Sequence, residues 1–394
     1  MDKKTAILLL VVFIDLIGFG IVIPVLPLLI ENIGGGAFLV GVVISLFSLF
    51  QFLFSPILGR LSDKYGRKPV LVISSFINAA SYLLIFLSQA FWIIVLARII
   101  AGIGSANISV AQAYIADTSS SHDRTKKMGY IGAAFGLGFI VGPLLGGVVG
   151  ERFGIAAPFV IPAVLSALNT VLIFFVLSES NKTLQKHIKI EFFNMAVMRE
   201  VLTPKNMSFL LFLFFFVNLA LALIIGVFPL LAQQRFGWTE AQNGYFFGLI
   251  GLGSFITQAF FLRLLLKRFS ETQLVRLALW VFGISVIGIG LSYSEWLTLL
   301  AGPISAVGFS LLNIGIQALI SLESKPEEQG IVLGISQSFG AMARVIGPLA
   351  GGAIATVHLG LPYLVSGILA IVIFFAGQSY LKYMKTNKPA GSLR

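Results

Sequence analysis

Three charged side chains, Asp15, Arg98 and Arg344, lie inside stretches that are otherwise apolar. A carboxylate in such a place can take up and release a proton, whereas a guanidinium keeps its charge and can only meet a counter-charge or an anion. Asp15 stands about nine residues, or roughly 14 Å, inside its apolar run. Charge at that depth costs at least about 2.5 kcal/mol on insertion scales, so such residues face a cavity or a partner. Proton coupling or cation recognition is the chemistry expected of Asp15; the competing expectation is a structural acceptor for neighbouring backbone. On a helix, Ser105, Ser109 and Gln112 fall on the side of Arg98 and make one polar stripe. The alternative there is a structural arginine bonded to helix carbonyls. Arg344 shares its face with Gln337 and Ala341. Three roles are open to it: neutralising Asp15, binding an anionic group of a small molecule, or anchoring helix packing. Gln112, Asn218, Asn313, Gln317 and Gln337 complete the candidates for contacting a small-molecule substrate, with interhelical hydrogen bonding as the alternative.

These residues need elements that carry them through an apolar medium. The chain has 394 residues, 57% hydrophobic and 11% charged, where an ordinary soluble protein carries roughly 25% charged residues. Residues 69 to 97 hold no charge between Lys68 and Arg98, longer than the roughly 20 apolar residues that cross a bilayer. Twelve such runs, from about 5 to 30 through about 360 to 385, predict an all-α polytopic membrane protein rather than a barrel, whose strands would alternate every second residue. The net charge of +11 is a topological surplus: nearly all Lys and Arg fall at the termini or on alternate loops of one side. That places both termini in the cytoplasm of a multi-pass cell-membrane protein, and the split among short loops argues against a nucleic-acid partner. The first run lacks a small-residue cleavage site and is expected to be retained. Cysteine is absent, the three His are scattered at 122, 187 and 358, and no nucleotide-binding loop occurs. No metal, no cofactor and no enzymatic activity are therefore expected.

The one long polar connection, residues 179–207, separates six spans in 1–178 from six in 208–394. Within it Ile190, Phe193, Val197 and Val201 repeat at helical spacing, which fits either an amphipathic helix at the interface or a tether. The halves also repeat: GFIVGPLLGG at 138–147 matches ARVIGPLAGG at 343–352, an offset of 205 that also aligns Gly129 with Gly334 and Gln112 with Gln317. Parallel repeats imply two six-helix bundles related by an axis along the membrane normal, an arrangement suited to alternating access.

Between the second and third spans, Gly59-Arg60-Leu61-Ser62-Asp63-Lys64-Tyr65-Gly66-Arg67-Lys68-Pro69 combines turn-forming glycines with one carboxylate among cations. The pattern resembles the signature loop of the major facilitator superfamily. Leu96 to Ala106, around Arg98, resembles that family's arginine-containing motif. Gly138-Phe139-Ile140-Val141-Gly142-Pro143-Leu144-Leu145-Gly146-Gly147 resembles its antiporter motif, and Asp15, Gly18, Pro24 and Pro27 are similar to the first span of twelve-span drug:proton antiporters, tetracycline efflux proteins included. The resemblance implies the major facilitator fold and a conformational latch built from Gly59, Asp63, Gly66 and Arg67, with Asp117 as the partner of Arg67. It implies proton coupling through Asp15 and Arg98, and closure of the pathway by packing at Gly138, Gly142, Pro143, Gly146 and Gly147. The intramembrane acids that those efflux proteins often carry in later spans are missing; Ser81, for one, is neutral.

The expected function is secondary active transport, as proton-coupled efflux of drugs or other amphipathic small molecules by a monomer in the lipid bilayer. The alternatives are a carrier of anionic metabolites or lipid-like amphiphiles using Arg344 and Arg98, and a non-transporting receptor or scaffold.

Overall fold

A backbone in hydrocarbon must satisfy its own N–H and C=O groups, and a helix does so within one segment. The computed structural model describes residues 3–118, 121–181, 195–325 and 328–386, and their regular structure is entirely helical, with no strand among the described residues. Among the described residues, twelve helices are long and apolar enough to cross a membrane: α1 (Ala6–Asn32), α2 (Ala37–Tyr65), α3 (Arg67–Leu87), α4 (Phe91–Thr118), α5 (Gly136–Phe153), α6 (Ala157–Val176), α7 (Lys205–Ile225), α8 (Glu240–Phe261), α9 (Glu271–Leu291), α10 (Glu295–Glu323), α11 (Gln329–Ala355) and α12 (Leu361–Gln378). A short helix, Phe228–Phe236, joins α7 to α8. Of the amphipathic stretch in the long connection, Ile190 and Phe193 lie outside the described residues, while Met195–Leu202 forms a short helix.

The chain divides into two compact units, Met1–Phe192 with Gly226–Gly251, and Phe193–Ile225 with Leu252–Arg394. In the first, α1 packs along α5 and α3 along α6; in the second, α7 packs along α11 and α9 along α12. The 205-residue offset maps one pattern onto the other, and the glycines explain how. A Cβ on Gly142 of α5 would stand 2.7 Å from the Ile17 carbonyl of α1. At the equivalent place a Cβ on Gly347 of α11 would collide with Ala222 of α7. Where lipid is as apolar as the helices, close backbone approach supplies the dispersion contacts that hold them together.

Adding a methyl to either seam should therefore cost about 1–3 kcal/mol through overpacking. Gly142→Ala and Gly347→Ala should each lower the melting temperature of the detergent-solubilised protein, whereas Gly334→Ala, with nothing within 4 Å, should leave it unchanged. Equal melting of all three would contradict the close-packed seams.

Candidate functional site

The loop between α2 and α3 closes on Arg67. Its Nη1 lies 2.6 Å from Asp63 Oδ1 and its Nε donates to Asp117 Oδ2 at 3.1 Å. Nη1 also donates to the Ser62 hydroxyl at 2.5 Å and to the Gly59 carbonyl at 3.4 Å. Arg67 is buried among these groups, so its planar fork ties the C-terminal end of α2 to the C-terminal end of α4. The loop turns at Gly66, whose φ of 102° lies in the region that favours glycine.

Glu179, just beyond α6, completes this cluster. Its two oxygens accept from the backbone N–H groups of Arg67 at 2.9 Å and Lys68 at 3.0 Å. Those are orphan donors at the positive end of α3, where a carboxylate is favoured. A side chain at Gly66 would run into this carboxylate. Ser180 donates to Asp117 at 3.1 Å and Asn181 to the Asp63 carbonyl at 3.0 Å, so α2, α3, α4 and the end of α6 meet in one polar knot. Beneath it lies an apolar layer of Leu8, Leu71, Ile115 and Ile173. Sequence reasoning missed Glu179; the only signal was its place in a polar run directly after the sixth span.

Deeper in the same unit lies a second cluster. Asp15 Oδ2 accepts from Asn107 Nδ2 at 2.8 Å, and the Asn78 side chain lies beside the carboxylate. Asp15 Oδ1 is buried without a hydrogen-bond partner. Asn107 can reach Asp15 because α4 is interrupted at Ala106, dividing it into Phe91–Ser105 and Asn107–Thr118. The Ser105 carbonyl at this break accepts from Gln51 of α2 at 3.3 Å, as irregular backbone at membrane depth requires. Small residues admit the polar ones: a Cβ on Gly104 would strike the Asn78 amide, and one on Gly18 would stand 2.9 Å from the Tyr82 hydroxyl.

Arg98 is buried at 2% exposure, with its guanidinium carbon 4.2 Å from the centre of the Phe47 ring and its Nε unbonded. A cation over an aromatic face is partly compensated without an acid. The polar stripe expected beneath it is spent locally: Ser105 donates to Asn78 at 3.4 Å, Ser109 donates to the Ala106 carbonyl at 2.9 Å, and Gln112 is exposed. Asn78, Tyr82 and Asn107 were not singled out from sequence, although an asparagine in the middle of an apolar run is itself a sign of a polar partner.

The glycines of α5 present two faces. Gly138, Gly142 and Gly146 face Leu16, Ile17 and Ile21 of α1, while Gly147 faces Glu240, Ala241 and Gly244 of α8. Pro143 lies within the helix, its ring beside Gly20 and its carbonyl beside Gly244.

In the second unit, the Gln317 amide donates to Asn313 Oδ1 at 2.7 Å. Asn218 is buried and donates to the Phe214 carbonyl one turn back at 2.8 Å. Arg344 and Gln337 are both exposed on α11.

The description "Major Facilitator Superfamily" matches residues 8–291 and 210–393. The tetracycline resistance protein, class D, of Salmonella ordonez is 34% identical over 359 residues, covering 89% of each chain. Multidrug resistance protein 2 of Bacillus subtilis (strain 168) is 28% identical over 380 residues, covering 94% of each. Among solved structures, a bacterial homologue of the human lysosomal transporter Spinster, inward-facing and unoccupied, superposes with a TM-score of 0.79 at 14% identity, covering 99% of this chain and all of that one.

The cap on α3 is directly testable. Glu179→Ala should cost about 1–2 kcal/mol, the usual loss when a helix N-terminal cap is removed, read as a lower melting temperature. Glu179→Gln, which keeps one carbonyl acceptor, should lose less. Unchanged melting in both would show that water replaces the carboxylate at no cost.

Proposed function

This chain belongs to the major facilitator superfamily, and from that membership we propose proton-coupled efflux of amphipathic small molecules. It is a multi-pass, membrane-embedded secondary transporter; what its relatives' names say of tetracycline and other drugs supports export as its direction. The observation that carries the reading is the Asp15 cluster. One carboxylate oxygen is held by Asn107 and the other is buried without a partner. An ionised carboxylate needs its amide donors, whereas a protonated one carries its own donor and is far cheaper to enclose in apolar surroundings. Gain or loss of that proton therefore changes which arrangement of α1, α3 and α4 is favoured. Arg98 sets the local field without itself giving up a proton.

In this scheme the bundles 1–178 and 208–394 alternate access, joined by 179–207. Asp63, Arg67 and Asp117 latch the cytoplasmic ends of the first bundle, with both termini on that side and a monomer as the working unit. The seams at Gly138, Gly142, Gly146 and Gly147 keep α5 tight against α1 and α8 through the cycle. Gln112, Asn218, Asn313, Gln317 and Gln337 are secondary candidates for substrate contact; those whose side chains already bond within the protein would have to exchange those bonds for cargo.

The test is a reconstituted one. In proteoliposomes with an imposed pH gradient, wild-type protein should drive efflux of an amphipathic dye, and Asp15→Asn should reduce gradient-driven efflux to background. The same variant should retain dye exchange at zero gradient and melt close to wild type. Loss of exchange and of folding together would assign Asp15 to structure instead.

A further inference from the structure

Arg344 is the one charge in the middle of any span of the second unit among the described residues. The acids of that unit's spans, Glu271, Glu295 and Glu323, all stand at helix ends. No ion pair or hydrogen bond meets its guanidinium among the described residues, and the chain offers no counter-charge along α7 or α11. A guanidinium cannot discharge itself as a carboxylate can, so it must meet water or an anion.

The geometry of α11 separates it from lipid. Ile331, Met342, Ile346 and Leu349 form the exposed apolar side of this helix. At 100° per residue, Arg344 lies roughly 140–160° from all four. Its own neighbours are Gly340 and Gly347, which face α7, and Gln337, which lies about 20° away and two turns earlier. A Cβ on Gly340 would stand 3.5 Å from Arg344 Nη1 and 3.7 Å from the Asn218 amide carbon. The missing side chain leaves a notch in which the guanidinium lies back along its own helix, beside a polar group of α7. Arg344 thus has an exposed, polar, lipid-averted face, a charge that no described residue neutralises, and an amide further along the same face.

We infer that Arg344, supported by Gln337, is a subsite for the acidic group of an amphipathic substrate, a carboxylate or comparable delocalised oxyanion. The inference rests on the transporter reading above and gives it a substrate class. A guanidinium offers such a group two parallel N–H donors, a geometry that an ammonium lacks. A cationic substrate gains nothing at this site and is repelled by it.

Binding is measured on the purified full-length protein in detergent, without any pH gradient, using three probes of one ring system: 1-naphthylacetate, 1-naphthylacetamide and 1-naphthylmethylammonium. A ligand that binds only the folded state raises its melting temperature. Wild type should be stabilised by the anion and not by the cation. Arg344→Gln should weaken anion binding by about tenfold or more, and Arg344→Lys should fall between. Ala341→Glu, which installs a counter-charge three residues away on the same side, should abolish anion binding with Arg344 still in place; it reads the subsite even if Arg344→Gln folds poorly. Failure of wild type to prefer the anion, or undiminished anion binding in Ala341→Glu, would overturn the subsite. The transport reading fails separately: anion binding through Arg344 in a protein whose efflux ignores the pH gradient would leave the subsite standing and remove the coupling.

Discussion

A charge inside hydrocarbon has to be compensated, reached by water or discharged, and three charges in the spans of the described residues meet that constraint differently. Arg98 is partly compensated, buried in the first unit against the face of Phe47. Arg344 is left open on a polar face of α11. Asp15 alone can be discharged, because only a carboxylate among the three exchanges a proton at accessible pH. The interruption of α4 at Ala106, the amides of Asn78 and Asn107 and the small residues Gly18 and Gly104 are all arranged around that one group.

The rest of the molecule keeps the helices close enough for such a group to matter. Glycine seams do this in both units, and the equivalence of Gly142 on Ile17 with Gly347 on Ala222 shows the same packing solution used twice. The polar knot at Arg67 does the opposite kind of work, since its ion pairs and the Glu179 cap lie at the helix ends, where partial water access makes them exchangeable.

Much of this was legible in the residues. The twelve spans followed from unbroken apolar runs, because hydropathy over 20 residues is a strong signal where no soluble surface competes. The internal repeat exposed the glycine seam, since identical motifs at a fixed offset pack alike. What was not legible depends on contacts between distant segments. Glu179 is one acid in a polar run until the fold brings it to the N-terminus of α3, 112 residues away. The expected stripe of Ser105, Ser109 and Gln112 runs across the interruption at Ala106, and its two serines hydrogen-bond Asn78 and the Ala106 carbonyl. Asn313 and Gln317 were open to substrate contact or to interhelical bonding, and the mutual hydrogen bond that their spacing permits is seen only in the fold.

In the proposed cycle Asp15 changes protonation state as the transporter works. Infrared difference spectroscopy of the protein in lipid, recorded as the pH is stepped across the neutral range, reads carboxyl groups directly. A protonated carboxyl C=O band should grow and fade with pH in the wild type and be missing from Asp15→Asn. A spectrum in which wild type and Asp15→Asn titrate identically would mean that Asp15 keeps one protonation state, and would contradict it.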